Sequence, residues 1–425
     1  MRINGYRKPQ TPPPIQAVSS RRRFGKFSLL IAAIILSQLA GGGFDRVEAQ
    51  PSEPLIVTNE ASANPDLVSV NLGTAGDAQA PGSSLQLPEG FTATVIASGL
   101  SGPRFMAFDR DGSLLVADQV ADAVYRFGPD ADSVIQPSGA TPEPLIDGLN
   151  APSSLAFTEI DGSTYLYVGE ESQITRFTYG ANGEVGEAEV VIPDLPTGGH
   201  RTRTVAFGED GMLYVAIGSS CNICAEEDDR RATVMRYNPD GSGEERFAWG
   251  LRNAVGLAFQ PVTNELWATV NERDNQGNEI PPDLVTIVTE GANYGWPDCQ
   301  PPDATPQEAG TDCSGITPPT IGIQAHSAPL GLAFATGDQF PEAYQGGLFV
   351  VQHGSWNRQP PAEPKLMYVT FENGAPTAVT DFATGWQDEN GDRWGRPAGV
   401  IVAPDGSLIV SDDEAGVLYR IIYAG

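Results

Sequence analysis

The chain holds three histidines, His200, His326 and His353, and all three fall within one recurring pattern. Six times a polar residue leads into an apolar strand, a turn and a second strand. The leading residues are Arg104 in PRFMAF, Asn150 in NAPSSLAF, His200 in HRTRTVAF, Arg252 and Asn253 in RNAVGLAF, His326 in HSAPLGLAF and Arg396 in RPAGVIV. An imidazole with an ordinary pKa of ~6.5 can take up or release a proton near neutral pH. The planar fork of arginine pairs with both oxygens of a carboxylate. Brought to one point, these side chains would hold an anion and move a proton beside it.

The elements that must bring them together are short strands. The repeat cores run over 103–127, 152–177, 203–237, 254–288, 329–371 and 397–423. The best preserved read AFDRDGSLLVAD, AFGEDGMLYVAIG and VIVAPDGSLIVSDD. Asp-Gly favours a tight reversal with positive φ, so each of these is a hairpin. Units start about 50 to 70 residues apart, long enough for a four-stranded propeller blade. The expected fold class is therefore all-β, a six-bladed β-propeller over 88–425, with the six entry residues at one rim of its axis. The strand FTATVIASGL should join the last blade and close the ring, which hides the edge strands. Extra length at 271–282, 299–324 and 353–364 belongs to rim loops that shape a site.

Composition agrees with this class. Gly and Pro are abundant, at 48 and 35 residues, and only 19% of residues are charged. Residues 1–49 differ from the rest. Ser20-Arg21-Arg22-Arg23-Phe24-Gly25-Lys26, an apolar run and Val47-Glu48-Ala49 make an export signal of twin-arginine type, cut near Ala49. A periplasmic or secreted protein with no stable membrane span follows. Residues 50–87, rich in Ser, Ala, Pro, Gly and Asn, read as a flexible linker. The formal net charge is −29. Loss of 1–49 leaves seventeen basic against fifty-two acidic residues. Such a surface repels nucleic acid and anionic lipid. Four cysteines, Cys221, Cys224, Cys299 and Cys313, suggest disulfides in an exported protein. Three pairings are open, and Cys221–Cys224 with Cys299–Cys313 is the most local. Ala225 follows the C-x-x-C, where covalent haem would need histidine.

The stretches GGHRTRTVAFGEDGMLYVAIG, GLRNAVGLAF, VNERD, GANYGWP, HSAPLGLAF, HGSWNR and GRPAGV, in this order, resemble the soluble quinoprotein sugar dehydrogenases, in particular their sorbosone and aldose dehydrogenase branch. The resemblance spans Pro88 to Tyr423. It implies a six-bladed propeller that uses pyrroloquinoline quinone (PQQ) and calcium to oxidise a sugar, passing electrons to an external acceptor. By the same resemblance His200 is the general base, and Arg252 stabilises charge developing on the quinone oxygen beside Asn253. Arg396 grips a cofactor carboxylate, and Asn150 falls near an amide that touches substrate or cofactor. Two residues after Arg396, where some members carry a second arginine, this chain has Ala398. Arg104 and Arg358 are the candidates for the missing positive charge. His326 and His353 join the cofactor cavity, with a structural role as the alternative for each. Calcium is expected near the Glu272 and Arg273 carbonyls, with Asp283 as a further acidic ligand. Trp356 and Trp296 could stack on cofactor or sugar, or simply pack. Two rivals stand beside this reading. A metal-dependent lactonase on a similar propeller would want a carboxylate-rich axis, and a non-catalytic propeller would bind a partner over its rim.

Overall fold

Six antiparallel sheets of four ring strands each follow one another along the chain in the computed structural model. It describes residues 55–56, 65–76, 78–128 and 143–425. The export signal expected over 1–49 lies outside these residues. Blade 1 comprises Pro103–Phe108, Leu114–Asp118, Ala123–Phe127 and Pro144–Ile146. Blade 2 comprises Ser154–Ile160, Ser163–Gly169, Ile174–Thr178 and Glu189–Ile192, and blade 3 Arg203–Phe207, Leu213–Ile217, Thr233–Tyr237 and Glu245–Trp249. Blade 4 comprises Ala254–Phe259, Leu266–Val270, Asp283–Ile287 and Ile321–Ile323, and blade 5 Pro329–Phe334, Leu348–Gln352, Lys365–Glu372 and Ala375–Ala383. Blade 6 takes Pro397–Val402, Leu408–Asp412 and Val417–Tyr423 from the C-terminus and Phe91–Ser98 from before blade 1. That last pairing closes the ring, as FTATVIASGL predicts. Each innermost strand touches the next, and the sixth touches the first, so the chain is a six-bladed β-propeller.

The Asp-Gly hairpins form because glycine accepts the left-handed conformation. Gly112, Gly211 and Gly406 have φ of 81°, 75° and 84°. The second strands of blades 1, 3, 4, 5 and 6 are buried along their whole length. Their side chains point alternately into the two neighbouring inter-blade layers, which makes six separate cores. Tyr214, Ala216 and Val234 of blade 3 pack against Leu266 and Ala268 of blade 4, for example, and Trp267 on the other face packs towards Leu332 and Leu348 of blade 5. Hydroxyls near the axis tie blade to blade. Ser154 Oγ donates to the Arg203 carbonyl at 2.7 Å, Thr269 Oγ1 to the Leu330 carbonyl at 2.6 Å and Ser411 Oγ to the Arg104 carbonyl at 2.5 Å. These bonds fix the height at which each inner strand begins, and so the height of the entry residues.

Where the structure describes the stretch expected as a linker over 50–87, it shows strands instead. Leu67–Asn71 pairs with Ser84–Pro88, and Gly73–Thr74 adds a parallel strand outside Phe91–Ser98. Leu55–Ile56 adds another outside Ile321–Ile323. The reason is the apolar residues scattered among the small polar ones. Leu85 and Leu87 are fully buried in the core between blades 5 and 6. Both local disulfides form, Cys221–Cys224 and Cys299–Cys313. Among the described residues no helix is long and apolar enough to cross a membrane.

Candidate active site

The inner strands open at one rim into a cavity of about 320 Å³. Arg104, His200, Arg252, Asn253, His326, His353 and Arg396 line it, together with Glu272, Asp274, Asp283 and Trp356. Its floor is apolar. Val255 and Leu330 line it, and they pack with the fully buried Ala398 and with Phe105. An arginine at 398 would have to enter that packed layer.

Acids at the ends of second strands hold several entry segments. Asp412 Oδ1 accepts from the Arg396 N–H at 2.8 Å, Glu170 Oε2 from the Asn150 N–H at 2.6 Å and Asp118 Oδ2 from the Ser101 N–H at 2.8 Å. At blade 3 Ser219, just past the second strand, holds the entry segment instead. Its N–H donates to the Arg252 carbonyl at 2.8 Å, and its own carbonyl accepts from the His200 N–H at 3.0 Å.

His200 Nδ1 lies 2.9 Å from that same Ser219 carbonyl. A carbonyl can only accept, so the proton sits on Nδ1 and the lone pair on Nε2 is left for the cavity. Burial, and then the Arg252 charge, push the His200 pKa down to about 4. The ring is therefore neutral at neutral pH and available as a base. Gly218 permits this approach. A Cβ there would come within 2.4 Å of Asn253 Oδ1 and 2.6 Å of His200 Cβ.

Arg252 is buried and uses all its donors on the protein. Nε donates to the Asn222 carbonyl at 3.1 Å. Nη1 donates to the Asn271 and Glu272 carbonyls at 3.2 and 2.7 Å. Nη2 donates to Asn222 Oδ1 and Asp274 Oδ2 at 3.0 and 2.8 Å. The neighbouring Asn253 is the opposite case: it is 7% exposed, and its Oδ1 has no partner.

Unused donors sit across the cavity. Arg104 Nη1 pairs with Asp413 Oδ2 at 2.5 Å, while its buried Nε has no partner. Asp413 Oδ1 faces His353 Nε2 at 2.8 Å. Burial would raise the Asp413 pKa, but His353 and Arg104 outweigh it and hold that carboxyl far below the usual range. Arg396 donates Nε and Nη2 to the His353 and Gly354 carbonyls at 3.0 and 3.3 Å, and Nη1 is not engaged by the protein. Burial lowers its pKa. His326 is 5% exposed, with φ 61°. Its Nε2 donates to the Gly277 carbonyl at 2.6 Å, and its Nδ1 has no partner.

The axis is less purely cationic than its entry residues imply. Glu272 and Asp283 are buried carboxyls whose pKa values burial pushes up to about 7 and about 6. Asp283 accepts from the Glu272 and Ala328 N–H groups at 2.7 and 2.9 Å. Among the described residues no three carboxylates of this cavity converge on one point. The expected residues that fall outside the cavity do so for local reasons. Asn150 is exposed on its turn. Arg358 reaches away, to the Asn278 carbonyl and to Glu279 at 3.0 Å. The Arg273 side chain is fully buried on Glu272 and on the Pro297 and Cys299 carbonyls. Trp296 is buried, with Nε1 donating to the Asn222 carbonyl at 3.0 Å, so it packs, whereas Trp356 stands 73% exposed at the cavity mouth.

The TrAA12-like family model matches residues 85–306 and 299–424, nearly all of the propeller. The chain belongs to that family, within the soluble PQQ-dependent sugar dehydrogenases. Its relatives include a PQQ-dependent sugar dehydrogenase of Hypocrea jecorina, 24% identical over 400 residues, covering 78% of this chain and 87% of the relative. An aldose sugar dehydrogenase of Escherichia coli is 28% identical over 256 residues, covering 54% of this chain and 62% of the relative. Among solved structures, the holo PQQ domain of Coprinopsis cinerea pyranose dehydrogenase superposes with a TM-score of 0.70 at 21% identity. That match covers 82% of this chain and 100% of the domain. The calcium structure of a family AA12 protein of Trichoderma reesei also gives 0.70 at 21% identity, with the same coverage. At that identity the two structures speak to the fold alone.

Within this family member, several residues build the site through contacts that the sequence did not assign to them. Arg203 Nη1 holds the His200 and Thr202 carbonyls, each at 2.9 Å. Arg231 holds the Thr197 and Gly198 carbonyls at 2.5 and 3.0 Å. Asp274 and Asn357 bond across the cavity wall at 2.9 Å. Arg203, three residues after His200 in HRTR, lay in a quoted stretch, as did Asp274 in VNERD and Asn357 in HGSWNR, but nothing in those stretches gave them their contacts. The other partners are distant in sequence.

Proposed function

We propose that this chain is an exported quinoprotein sugar dehydrogenase that oxidises the anomeric hydroxyl or hydrated aldehyde of an aldose, with His200 as general base. The observation that carries the proposal is the pairing of a neutral, cavity-facing imidazole with unengaged arginine donors across the same cavity. The named activities of the relatives support the reaction class. A substrate of sorbosone type is the finer form of the same reading.

The residues fit the two groups this reading needs. Arg104 and Arg396 have N–H groups free for the carboxylates of PQQ, and the unpartnered Asn253 amide and His326 Nδ1 can meet its polar edge. Glu272, Asp283 and the nearby carbonyls offer oxygen only, the donor type calcium takes. Their carboxyls are pushed up by burial, and a divalent ion would relieve that cost. Because three carboxylates do not converge, the shell has to be completed by carbonyls and ligand oxygens. When bound, PQQ with calcium supplies the two-electron acceptor.

The protein's own part is proton transfer and orientation. His200 Nε2 takes the proton of the sugar hydroxyl, while Nδ1–H stays on Ser219 and keeps the ring aimed. Arg252 disfavours the imidazolium that results, so the proton passes on to solvent. Arg252 acts by its field and by fixing Asp274 and the Glu272 carbonyl, because its five donors are already committed to the protein. Trp356 offers a face at the mouth for the sugar ring. An external acceptor then takes the electrons. Two disulfides and the twin-arginine leader suit the periplasm or the exterior.

The test is to add PQQ and calcium to purified protein and follow dye reduction with a panel of aldoses. Absence of both dye reduction and a spectral change would sink the proposal. Hydrolysis of a lactone instead would favour the lactonase rival, which the acids of the cavity keep worth assaying.

A further inference from the structure

The Cys221–Cys224 loop reaches the cavity wall through one side chain. Asn222 stands between the two cysteines. Its amide clasps the backbone of Asp274 in both directions: Oδ1 accepts from the Asp274 N–H at 2.8 Å, and Nδ2 donates to the Asp274 carbonyl at 2.9 Å. The same Oδ1 accepts from Arg252 Nη2 at 3.0 Å, and the Asn222 carbonyl accepts from Arg252 Nε and Trp296 Nε1. So aligned, Asp274 shares its carboxylate between Arg252 at 2.8 Å and Asn357, next to Trp356, at 2.9 Å. At the start of the loop, Ser219 Oγ donates to the Cys221 carbonyl at 2.7 Å while Ser219 receives His200 Nδ1. Four residues of chain, 219–222, therefore touch both the base and the arginine beside it. The disulfide limits how far their carbonyls can move apart.

We propose that Asn222 is a positioning residue, which fixes Asp274 and through it Arg252 beside His200, and that the disulfide loop belongs to the active site. The catalytic part of this inference rests on the dehydrogenase reading above; the geometric part does not. A side-chain amide is required because Asp274 presents one donor and one acceptor, and an amide meets both.

Two measurements test it, one of them independent of turnover. Asn222→Ala removes three hydrogen bonds and leaves the Asn222 carbonyl in place. With PQQ, calcium and an aldose, kcat should fall ten- to a hundredfold while the KM for sugar changes less than threefold. In the cofactor-free protein, imidazole NMR reads His200 directly, because the chain has three histidines and His200→Gln assigns the signal. The His200 ring resonance at pH 7 should move in Asn222→Ala, and those of His326 and His353 should not. Asn222→Asp keeps both acceptor contacts and gives up the donation to Asp274, so it should recover part of kcat and of the resonance position. A folded Asn222→Ala with an unchanged His200 resonance and unchanged kcat overturns the proposal. If Asn222→Ala does not fold, an unchanged kcat and resonance in Asn222→Asp overturn it instead. Should the wild-type protein show no turnover, the dehydrogenase reading fails, and the NMR comparison alone decides the positioning role.

Discussion

Arg252 serves His200 in two ways that can be separated, by its charge and by its fork of hydrogen bonds. Arg252→Met removes both, and Arg252→Lys keeps the charge but offers three donors where five are used. The stability cost follows from the contacts. Lysine leaves at least two buried acceptors unmatched, at about 1–3 kcal/mol each. Methionine also strands the Asp274 carboxylate, and breaking a buried pair costs about 3–5 kcal/mol. The Asp274 side chain is 22% exposed, so water moderates the loss and the lower end applies. The effect on His200 has a definite sign. A nearby cation disfavours the imidazolium, so removing it raises the His200 pKa from about 4 towards the ordinary ~6.5. Activity in the window between those values should be flat in the wild type and should fall with decreasing pH in Arg252→Met. Arg252→Lys should be less stable to denaturant than the wild type and keep the flat profile. The assay is kcat/KM for an aldose from pH 5 to 8, with imidazole NMR of the cofactor-free protein over the same range. A flat profile in Arg252→Met, or equal acid sensitivity in both variants, would refute the charge argument.

Other outcomes follow from the same geometry. His200→Gln should lower kcat about 10²–10⁴-fold, the usual contribution of a positioned base, while PQQ still binds, as read by its absorbance change. Gly218→Ala should impair turnover strongly with the fold retained by circular dichroism, because the new methyl meets Asn253 Oδ1 and His200 Cβ at once. Calcium added to the cofactor-free protein should raise the melting temperature, since it offsets the buried charge of Glu272 and Asp283, and Asp283→Asn should shrink that gain. Asp118→Ala should destabilise the fold without changing the sugar KM, as Asp118 caps the Ser101, Val120 and Ala121 N–H groups outside the cavity.

The sequence by itself determined the ring. Alternating apolar residues and Asp-Gly turns permit little except repeated hairpins. The strand before the first repeat, left without a partner, had to close the last blade. The entry residues were legible too, because a propeller converts sequence recurrence into a shared axis. Hence Arg104, His200, Arg252, Asn253, His326 and Arg396 could be listed together. Tertiary structure decided what each of them touches. Hydrogen bonding separates Arg252, whose five donors are used within the protein, from Arg104 and Arg396, which keep donors to spare. Burial leaves both His200 and His353 neutral, but His353 Nε2 is held by Asp413, whereas Ser219 takes His200 Nδ1 and leaves its Nε2 to the cavity. Asn222, Asp274 and Asp413 join the site through contacts between residues 22 to 309 positions apart, and no spacing rule reaches across such distances. Residues 67–71 and 84–87, within the stretch 50–87, show the same division in the fold. Their composition reads as a linker, yet Leu85 and Leu87 are buried, because a groove between blades 5 and 6 exists to receive them only once the ring has closed.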